Sequence, residues 1–443
     1  MMTHLEPTNI SYIGLILMLF MGGLIFFLPR RFAILPVLVI TCWATAGQRL
    51  EIMTLNFYML RIILLFGWAR IIFRGELFSI KLNIIDKIVI IYIVWAVIAY
   101  TLLRGTGAAF INRLGFAYNT VGAYFFFRAV IRDFDDIVRA IKILSIVIIP
   151  LALGMLLEQA TRVNIFSTFG GVPLFSEERE GRFRAQGPFE HAILAGTFGA
   201  TLIPLFVSLW FSKENRTYAV IGVLAATLIT IASASSGPIL TLIIIVGALC
   251  VWPFRKYIRT IEWGILFGVI GLHLYMKAPV WYVISRVSDL IGGTGWHRSF
   301  LIDQAIKYFN EWWLLGTTYT AHWMPYALAI DPDYADITNQ FIAEGVQGGF
   351  TQMLLFIVII VLCFRSIGRA IKLSEDQPLS IKIVPWSMGV VLFGHVSAFF
   401  SVSYFDQIFV SWYLALAMIS AIAYSIEKVK SITPQKLQGE RVK

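Results

Sequence analysis

The chain has 443 residues, of which 58% are hydrophobic and only 14% are charged, and its formal net charge is +10. A soluble domain usually carries about 25% charged residues, so this chain has too few to cover a water-facing surface of its size. The same composition excludes a disordered protein, a coiled coil and a nucleic-acid-binding module. The sequence therefore predicts a polytopic membrane protein in which residues 1–443 form a single transmembrane domain.

Apolar stretches occur along most of the chain at lengths near the 17–25 residues that cross about 30 Å of hydrocarbon. They are continuously apolar and do not alternate as barrel strands do, which predicts an all-α protein. Because one stretch is short, the prediction is twelve to thirteen transmembrane helices. In chain order the stretches are Asn9–Leu28, Phe32–Ala46 (the short one), Thr54–Phe73, Ile84–Leu103, Leu114–Ile131, Ile137–Leu157, Pro188–Phe211, Thr217–Ala232, Gly237–Trp252, Ile261–Met276, Val346–Phe364, Ile383–Tyr404 and Ile408–Ile426.

The basic residues between these stretches fall mostly on one side of the predicted membrane. The short loops on the other side hold only Arg49, Arg104 and Arg113. Because loops rich in Lys and Arg stay in the cytoplasm, this bias predicts a cytoplasmic C-terminus. The N-terminus is then outside if all thirteen stretches cross, and inside if one of the first three does not.

Two long segments on the predicted outer side break this pattern, 158–187 and 277–345. Long loops escape the charge rule, so one interpretation of their basic residues is ordinary solvated charge. The alternative is an anion held at the outer membrane surface. The basic residues concerned are Arg162, Arg179, Arg182, Arg184, Lys277, Arg286, Arg298 and Lys307.

The first long segment places Arg184 shortly before Gly187 and Pro188, which are typical of a helix start. The free N–H groups and dipole of a helix N-terminus favour an anion, and a guanidinium donates two parallel bonds to a phosphate. His191, one turn into the predicted helix, is either a further donor or an ordinary interfacial residue. This pattern makes Arg184 a candidate anion ligand.

The second long segment has a glycine-rich approach, 292–295, and then a stretch with helical periodicity in which Arg298 occupies the first turn. The pattern predicts an amphipathic helix lying in the membrane interface. Its apolar face consists of Ile302, Ala305, Ile306, Phe309, Trp312 and Trp313, and its polar face of Asp303, Gln304, Lys307 and Glu311. Further along, His322 precedes three aspartates, Asp331, Asp333 and Asp336, which suit a general base, a divalent-cation site or simple helix capping.

At these residues the chain resembles the O-antigen ligase and O-antigen polymerase superfamily of bacterial envelope glycosyltransferases, over about residues 181–364. Residues 184–191 (RAQGPFEH) resemble the Arg-x-x-Gly-x-Phe segment that enters a helix in that family. Residues 295–298 (GWHR), with the helix closing at 315–317 (LGT), resemble its Gly-x-x-Arg helix. Asn339 with 344–348 (EGVQG) resembles its His-Asn … Gly-x-x-Gly segment before a late span.

The resemblance implies an enzyme of the bacterial inner membrane that transfers a glycan from an undecaprenyl-pyrophosphate carrier to an acceptor at the outer face. Its partners would be the carrier-linked glycan, an acceptor glycan or lipid, and membrane lipids, without nucleic acid. Carried over residue by residue, Arg184 and Arg298 bind the pyrophosphate. The neighbouring Arg182, His191 and His297 are assigned to the same group.

The chain departs from the family pattern at two positions. The family His-Asn pair reads Thr338-Asn339 here, so its catalytic His is absent; Asp336, His322 or His297 would replace it, with Asn339 nearby. An earlier Ser-Arg-Gly turn of the family reads Ser235-Ser236-Gly237 here, which removes one cationic contact.

The leading hypothesis is an inverting, metal-independent glycosyltransferase without a cofactor, in which Asp336 accepts the proton of the acceptor hydroxyl. Chain extension by a polymerase is favoured over ligation to lipid A core. The alternatives are a flippase or transporter for lipid-linked sugars, against which the scarcity of ionisable residues within the spans argues, and a metal-dependent transferase using Asp331 and Asp333.

Overall fold

The computed structural model describes residues 8–52, 55–179, 181–291, 295–324 and 333–439. Helices dominate these residues, and each of the thirteen predicted apolar stretches overlaps one. The helices are α1 (Tyr12–Phe27), α2 (Ile34–Trp43), α3 (Met59–Phe73), α4 (Ile84–Arg104), α5 (Gly107–Val130), α6 (Phe134–Thr161), α7 (Ala192–Leu209), α8 (Arg216–Ala232), α9 (Ser236–Cys250), α10 (Ile258–Tyr275), α11 (Val283–Ile291), α12 (Gly295–Lys307), α13 (Phe309–Trp312), α14 (Gln340–Leu373), α15 (Leu379–Phe399) and α16 (Phe409–Gly439).

Two small sheets occur among the described residues, and both lie outside the helices. In the first, β1 (Thr8–Asn9) pairs in parallel with β2 (Gln48–Ile52), which pairs antiparallel with β3 (Leu55–Tyr58). In the second, β4 (Glu177–Arg179) and β5 (Arg182–Arg184) form an antiparallel hairpin that pairs Glu177 with Arg184. The prediction of an all-α polytopic membrane protein is confirmed, since strands contribute only these short pieces.

Seven helical segments among the described residues are long and apolar enough to cross a membrane: α4, α6, α7, α8, α14, α15 and the first part of α16. An eighth is formed if α9 and α10, which meet at 74°, count as one broken span. The predicted span Phe32–Ala46 contains only the ten residues of α2, about 15 Å at 1.5 Å per residue. Such a helix covers half of the hydrocarbon thickness.

Helix α7 lies at the centre of the bundle and is buried along almost its whole length. It packs on α8, α9 and α15. Its approach to α8 is close because the facing residues are small: a Cβ added to Gly199 would lie 2.7 Å from the carbonyl oxygen of Ala226. Small residues are the usual contact residues between membrane helices, where backbones approach closely.

A buried ion pair joins α4 to α5 near the start of α4. The Arg128 guanidinium donates to both carboxylate oxygens of Asp86 at 2.9 and 3.0 Å, and the Tyr124 hydroxyl donates to the same carboxylate at 2.6 Å. Asp86 also completes the capping box of α4 with Asn83. One fully buried carboxylate therefore fixes both the start of a helix and its contact with the next.

Helix α14 is interrupted at Gly348 and Gly349, which have non-helical backbone angles. Residues 313–317 cross this break: the N–H of Phe350 donates to the carbonyl of Trp313 at 2.8 Å, and that of Thr317 donates to the carbonyl of Val346 at 2.9 Å. The crossing thus ties the segment after α13 to α14 through backbone hydrogen bonds.

Alanine at position 349 is expected to lower the free energy of unfolding by more than about 2 kcal/mol. Gly349 has a φ of +76°, and a Cβ there would overlap the carbonyl oxygen of Leu314. The matched control is Gly368→Ala in the same helix, where an added Cβ meets nothing within 4 Å; it should be neutral or stabilising. Detergent denaturation followed by tryptophan fluorescence compares the two, and equal stabilities would contradict the expectation.

Candidate functional site

The segment that carries Arg184 is held by a buried acid at the end of α6. The Glu158 carboxylate accepts the N–H groups of Gln186 at 3.0 Å and Gly187 at 2.8 Å. Asn164 donates to the carbonyl of Gly187 at 2.8 Å, and Gly187 has a φ of +58°. These bonds fix the tight turn that follows β5, and hence the position of Arg184 immediately before it.

Arg184 is buried and donates from both edges of its guanidinium. Nη1 donates to Oε2 of Glu177 at 2.9 Å, across the hairpin, and Nη2 donates to Oγ of Ser235 at 2.9 Å. The helix predicted from Pro188 begins later, at Ala192, with His191 as its N-cap. The turn at Gly187 therefore separates Arg184 from the start of α7 along the chain, and the Arg184 guanidinium contacts Ser235, the residue that precedes α9.

Arg298 lies in the first turn of α12 and is only 7% exposed. Its guanidinium has no hydrogen bond or ion pair with any residue that the structure describes. Burial, and secondarily the positive charge of Arg179, lower the pKa of Arg298. A buried cation without a counter-charge is unfavourable unless a ligand supplies one, which marks this position as a candidate anion site.

Both guanidinium groups border the turn that starts α9. Ser235 accepts from Arg184, and two residues later a Cβ added to Gly237 would lie 3.8 Å from Nη2 of Arg298. The same Cβ would lie 3.2 Å from Oγ of Ser401, so the segment after α15 also borders the turn. We call Arg179, Arg184 and Arg298 together with the 235–237 turn the arginine cluster.

The N-terminus of α9 adds to the positive potential of this cluster. Ser235 precedes the helix without capping it, since its hydroxyl donates to the carbonyl of Ser233 at 2.8 Å. The helix dipole and the first N–H groups of a helix favour an anion. The Ser235-Ser236-Gly237 turn, which lacks the arginine of the resembling family, is thus bordered by both Arg184 and Arg298.

The other predicted anion ligands are His191, Arg182 and His297, and they differ in their contacts and exposure. His191 accepts the N–H of Ile193 at 3.1 Å through Nδ1, and its Nε2 lies 4.0 Å from Oε2 of Glu177. Arg182 is exposed at the far end of the hairpin. His297, next to Arg298, contacts the backbone carbonyl of Asp336 at 3.1 Å.

The predicted catalytic residues each have their own local environment. Asn339 is the N-cap of α14, and its side-chain oxygen accepts the N–H groups of Phe341 and Ile342, which is a structural role. His322 pairs with Glu311 at 3.0 Å. Asp336 has a buried Oδ1 with no hydrogen-bond partner within the described part of the chain.

The predicted amphipathic helix is two helices, α12 and α13. Leu301, Ala305 and Trp312 pack into a small core with Trp323 and other residues before α14. Ile306, Phe309 and Trp313 of the predicted apolar face are exposed on the protein surface, as a face that lies against lipid would be. The inward packing was not predicted, because its contacts join segments that are distant in the sequence.

The alternative of a metal-dependent transferase depends on Asp331 and Asp333 as ligands. Asp331 and the glycine-rich residues 292–294 lie outside the described residues. Within the described ranges, no group of three His, Cys, Asp or Glu side chains could hold a metal ion.

An internal cavity of about 610 Å³ opens beside the cluster. Sequence reasoning missed it, since its lining comes from segments far apart in the chain. Its charged lining residues are Arg49, Arg61, Glu190, Glu344 and Asp406. Two of them had a weak signal in the sequence: Glu190 adjoins His191, and Glu344 opens the glycine-rich motif of α14.

Glu344 and Asp406 are both held by hydrogen bonds inside this cavity. Glu344 accepts from Tyr92 at 2.9 Å, from Gln340 at 2.7 Å and from Gln352 at 2.6 Å. Asp406, whose φ is +63°, accepts the N–H of Glu190 at 2.6 Å.

Comparison with known proteins gives no relationship for this chain. No protein-family model matches it, and no curated protein is similar to it at a significant level. What the chain does must therefore be argued from the arginine cluster, the cavity and the local motifs.

Proposed function

We propose that the protein is a lipid-carrier-dependent glycosyltransferase that binds the pyrophosphate of an undecaprenyl-linked glycan in the arginine cluster. The observation that carries this proposal is the buried guanidinium of Arg298, which has no described partner and borders the same turn before α9 that Arg184 contacts. Two guanidinium groups and a helix N-terminus suit a diphosphate, whose several oxygens accept charge-assisted hydrogen bonds. Arg182, His191 and His297 are proposed as outer members of the same site.

In the proposed reaction, the acceptor oxygen attacks C1 of the donor sugar while the bond from C1 to the pyrophosphate breaks. The electron pair leaves with the pyrophosphate, and Arg184 and Arg298 stabilise the charge that develops there. Glu177, which is half exposed and paired with Arg184, is the partner that the incoming diphosphate would replace. The proton of the acceptor hydroxyl goes to a general base, and neither a metal nor a cofactor is part of the proposal.

The finer topology belongs to the same proposal. Twelve to thirteen spans with a cytoplasmic C-terminus in the bacterial inner membrane would put segments 158–187 and 277–345 on the outer face, with α12 at the interface. A carrier lipid could then stay in the membrane while its glycan reaches the cluster. The extended product of a polymerase is favoured over ligation to lipid A core, as the sequence suggested.

Transport of a lipid-linked sugar is the second candidate, and the cavity favours it. Ionisable side chains facing an internal path are typical of transporters, and Glu344 and Asp406 both line the cavity. Arg61, the main candidate within a span, is bonded to Asn119 at 3.0 Å. Purified protein that flips a labelled carrier lipid without forming glycosidic bonds would favour this candidate.

Replacing Arg184 with lysine is expected to lower glycan transfer at least tenfold. Lysine keeps the charge but cannot bond Ser235 and an anion at once through a planar fork. The measurement uses purified protein and the native lipid-linked repeat unit, with products separated as ladders on a gel. Ladders indicate polymerisation, and single additions indicate ligation.

The matched control for this variant is Arg162→Lys. Arg162 lies in the same segment, is exposed, and stacks over Phe183 at 4.1 Å. Its replacement should leave transfer unchanged. Equal transfer by wild type and Arg184→Lys would remove Arg184 from the mechanism.

A further inference from the structure

The cavity and the arginine cluster share two stretches of backbone. On the first, Glu190 lines the cavity while the next residue, His191, lies beside Glu177, the partner of Arg184. On the second, Ser401 borders the Gly237 turn while Ser403 lines the cavity. Because consecutive Cα atoms are about 3.8 Å apart, the cavity lining begins within one or two residues of a residue that borders the cluster on both stretches.

The lining of the cavity has the chemistry of a carbohydrate site. Its volume of about 610 Å³ falls in the range of small-molecule sites, about 300–1,000 Å³. Aromatic side chains such as Tyr404 and Trp412 are part of the lining, and aromatic rings are apolar surfaces suited to the C–H groups of a sugar. Amides such as Asn112, Gln347 and Gln407 can both donate to and accept from sugar hydroxyls.

Glu190 is a carboxylate of the cavity lining whose side chain is not engaged by its described neighbours. Its carboxyl group has no hydrogen-bond or ion-pair partner in the described part of the chain, whereas Glu344 accepts three hydrogen bonds there. The backbone of Glu190 is fixed by a distant residue, since its N–H donates to Asp406, 216 residues away. The group is therefore positioned by its backbone and free at its side chain.

We propose that the cavity receives the acceptor glycan and that Glu190 is the general base that takes the proton from the attacking hydroxyl. The inference rests on the proposed function. The acceptor oxygen forms its bond to C1 of the donor sugar, the pyrophosphate leaves with the electron pair of the broken bond, and the proton moves to the Glu190 carboxylate. Asp406 is a positioning residue that holds the backbone of Glu190.

The ionisation of Glu190 suits this role. Burial raises the pKa of Glu190 to about 7, so the carboxylate is a stronger base than an exposed glutamate, and about half of it is ionised at neutral pH. Since only the ionised form accepts a proton, transfer should fall about tenfold for each pH unit below 7 and level off above it. The other charged groups that line the cavity are Arg49, Arg61, Glu344 and Asp406, together with four tyrosines.

The test compares Glu190→Gln, Glu190→Asp and Asp336→Asn with wild type, using the native lipid-linked repeat unit across pH 5–9. Glu190→Gln should lower transfer by about 100-fold or more and lose the acid limb of the profile. Glu190→Asp should recover part of the rate with a limb. Glu178→Gln, in the exposed strand β4, is the matched control and should behave as wild type.

The outcomes separate the inference from the proposed function. Wild type that forms no glycosidic bond overturns the proposed function, and the inference falls with it. Active wild type with an unchanged Glu190→Gln profile overturns the inference alone. Loss of rate and of the acid limb in Asp336→Asn, but not in Glu190→Gln, assigns the base to Asp336. Equal melting temperatures of wild type and Glu190→Gln exclude a folding defect as the cause of lost transfer.

Discussion

Replacing Arg298 with methionine is expected to lower glycan transfer by at least about 100-fold while leaving the melting temperature unchanged or raised. The loss of rate follows from removing one of the donors that would stabilise the leaving pyrophosphate. The gain in stability follows because a buried cation without a counter-charge is unfavourable in the free protein. Lost transfer with an undiminished melting temperature is expected of a side chain that binds a ligand and does not stabilise the fold. Transfer assays measure the rate, and thermal unfolding in detergent measures the melting temperature.

Two controls sharpen this expectation. Arg298→Lys keeps the charge and should fall between wild type and the methionine variant in rate, because lysine lacks the planar fork. Binding of undecaprenyl diphosphate should weaken in step with transfer, as shown by loss of the thermal stabilisation that this ligand gives wild type. A methionine variant that unfolds at a clearly lower temperature would show that Arg298 has a structural role instead.

Replacing Arg128 with methionine is expected to lower the free energy of unfolding by about 3–5 kcal/mol. The change leaves Asp86 as a buried charge whose principal partner, at 2.9 Å, is gone. Both members of the pair are buried, so water cannot compensate for the loss. Titration with sodium dodecyl sulfate in mixed micelles, followed by tryptophan fluorescence, measures the difference.

The control for this second expectation is Arg139→Met. Arg139 pairs with Asp136 at 3.1 Å, but its side chain is a quarter exposed and Asp136 also pairs with Arg30 at 2.6 Å. Its loss should cost no more than about 1 kcal/mol. Similar losses in the two variants would mean that the Asp86 pair is no more sensitive than a surface pair.

Much of the fold could be predicted from the sequence because the burial signal of a membrane helix is local. Every predicted apolar stretch overlaps a helix. The observed helix ends differ from the predicted ones where backbone conformation, and not hydropathy, determines where a helix begins or ends. The start of α7 is an example: Gly187 and Pro188 predicted a helix there, but the left-handed Gly187 and the turn held by Glu158 delay it to Ala192. The length of α2 is another, since an apolar run says nothing about where a helix stops.

The site could be predicted only in part, because its contacts join distant segments. Arg184 and Arg298 were found from their charge in a charge-poor chain and from their place beside predicted helix starts. The turn that both arginines border, 235–237, gave no signal because its sequence lacks a charge. Glu190 and Asp406 were not assigned to the site, because only the fold brings the N–H of one to the carboxylate of the other.

The backbone crossing at the α14 break has a consequence for how this chain can vary. Arg298 is set near the start of α9, and Gly316, with a φ of +102°, is set against Val346. The intervening stretch is therefore anchored at both ends, so its length is fixed while its outward-facing side chains are not. An insertion or deletion between these anchors would displace the guanidinium from its turn, whereas exchanges at exposed positions such as Ile306 and Trp313 would leave the spacing intact.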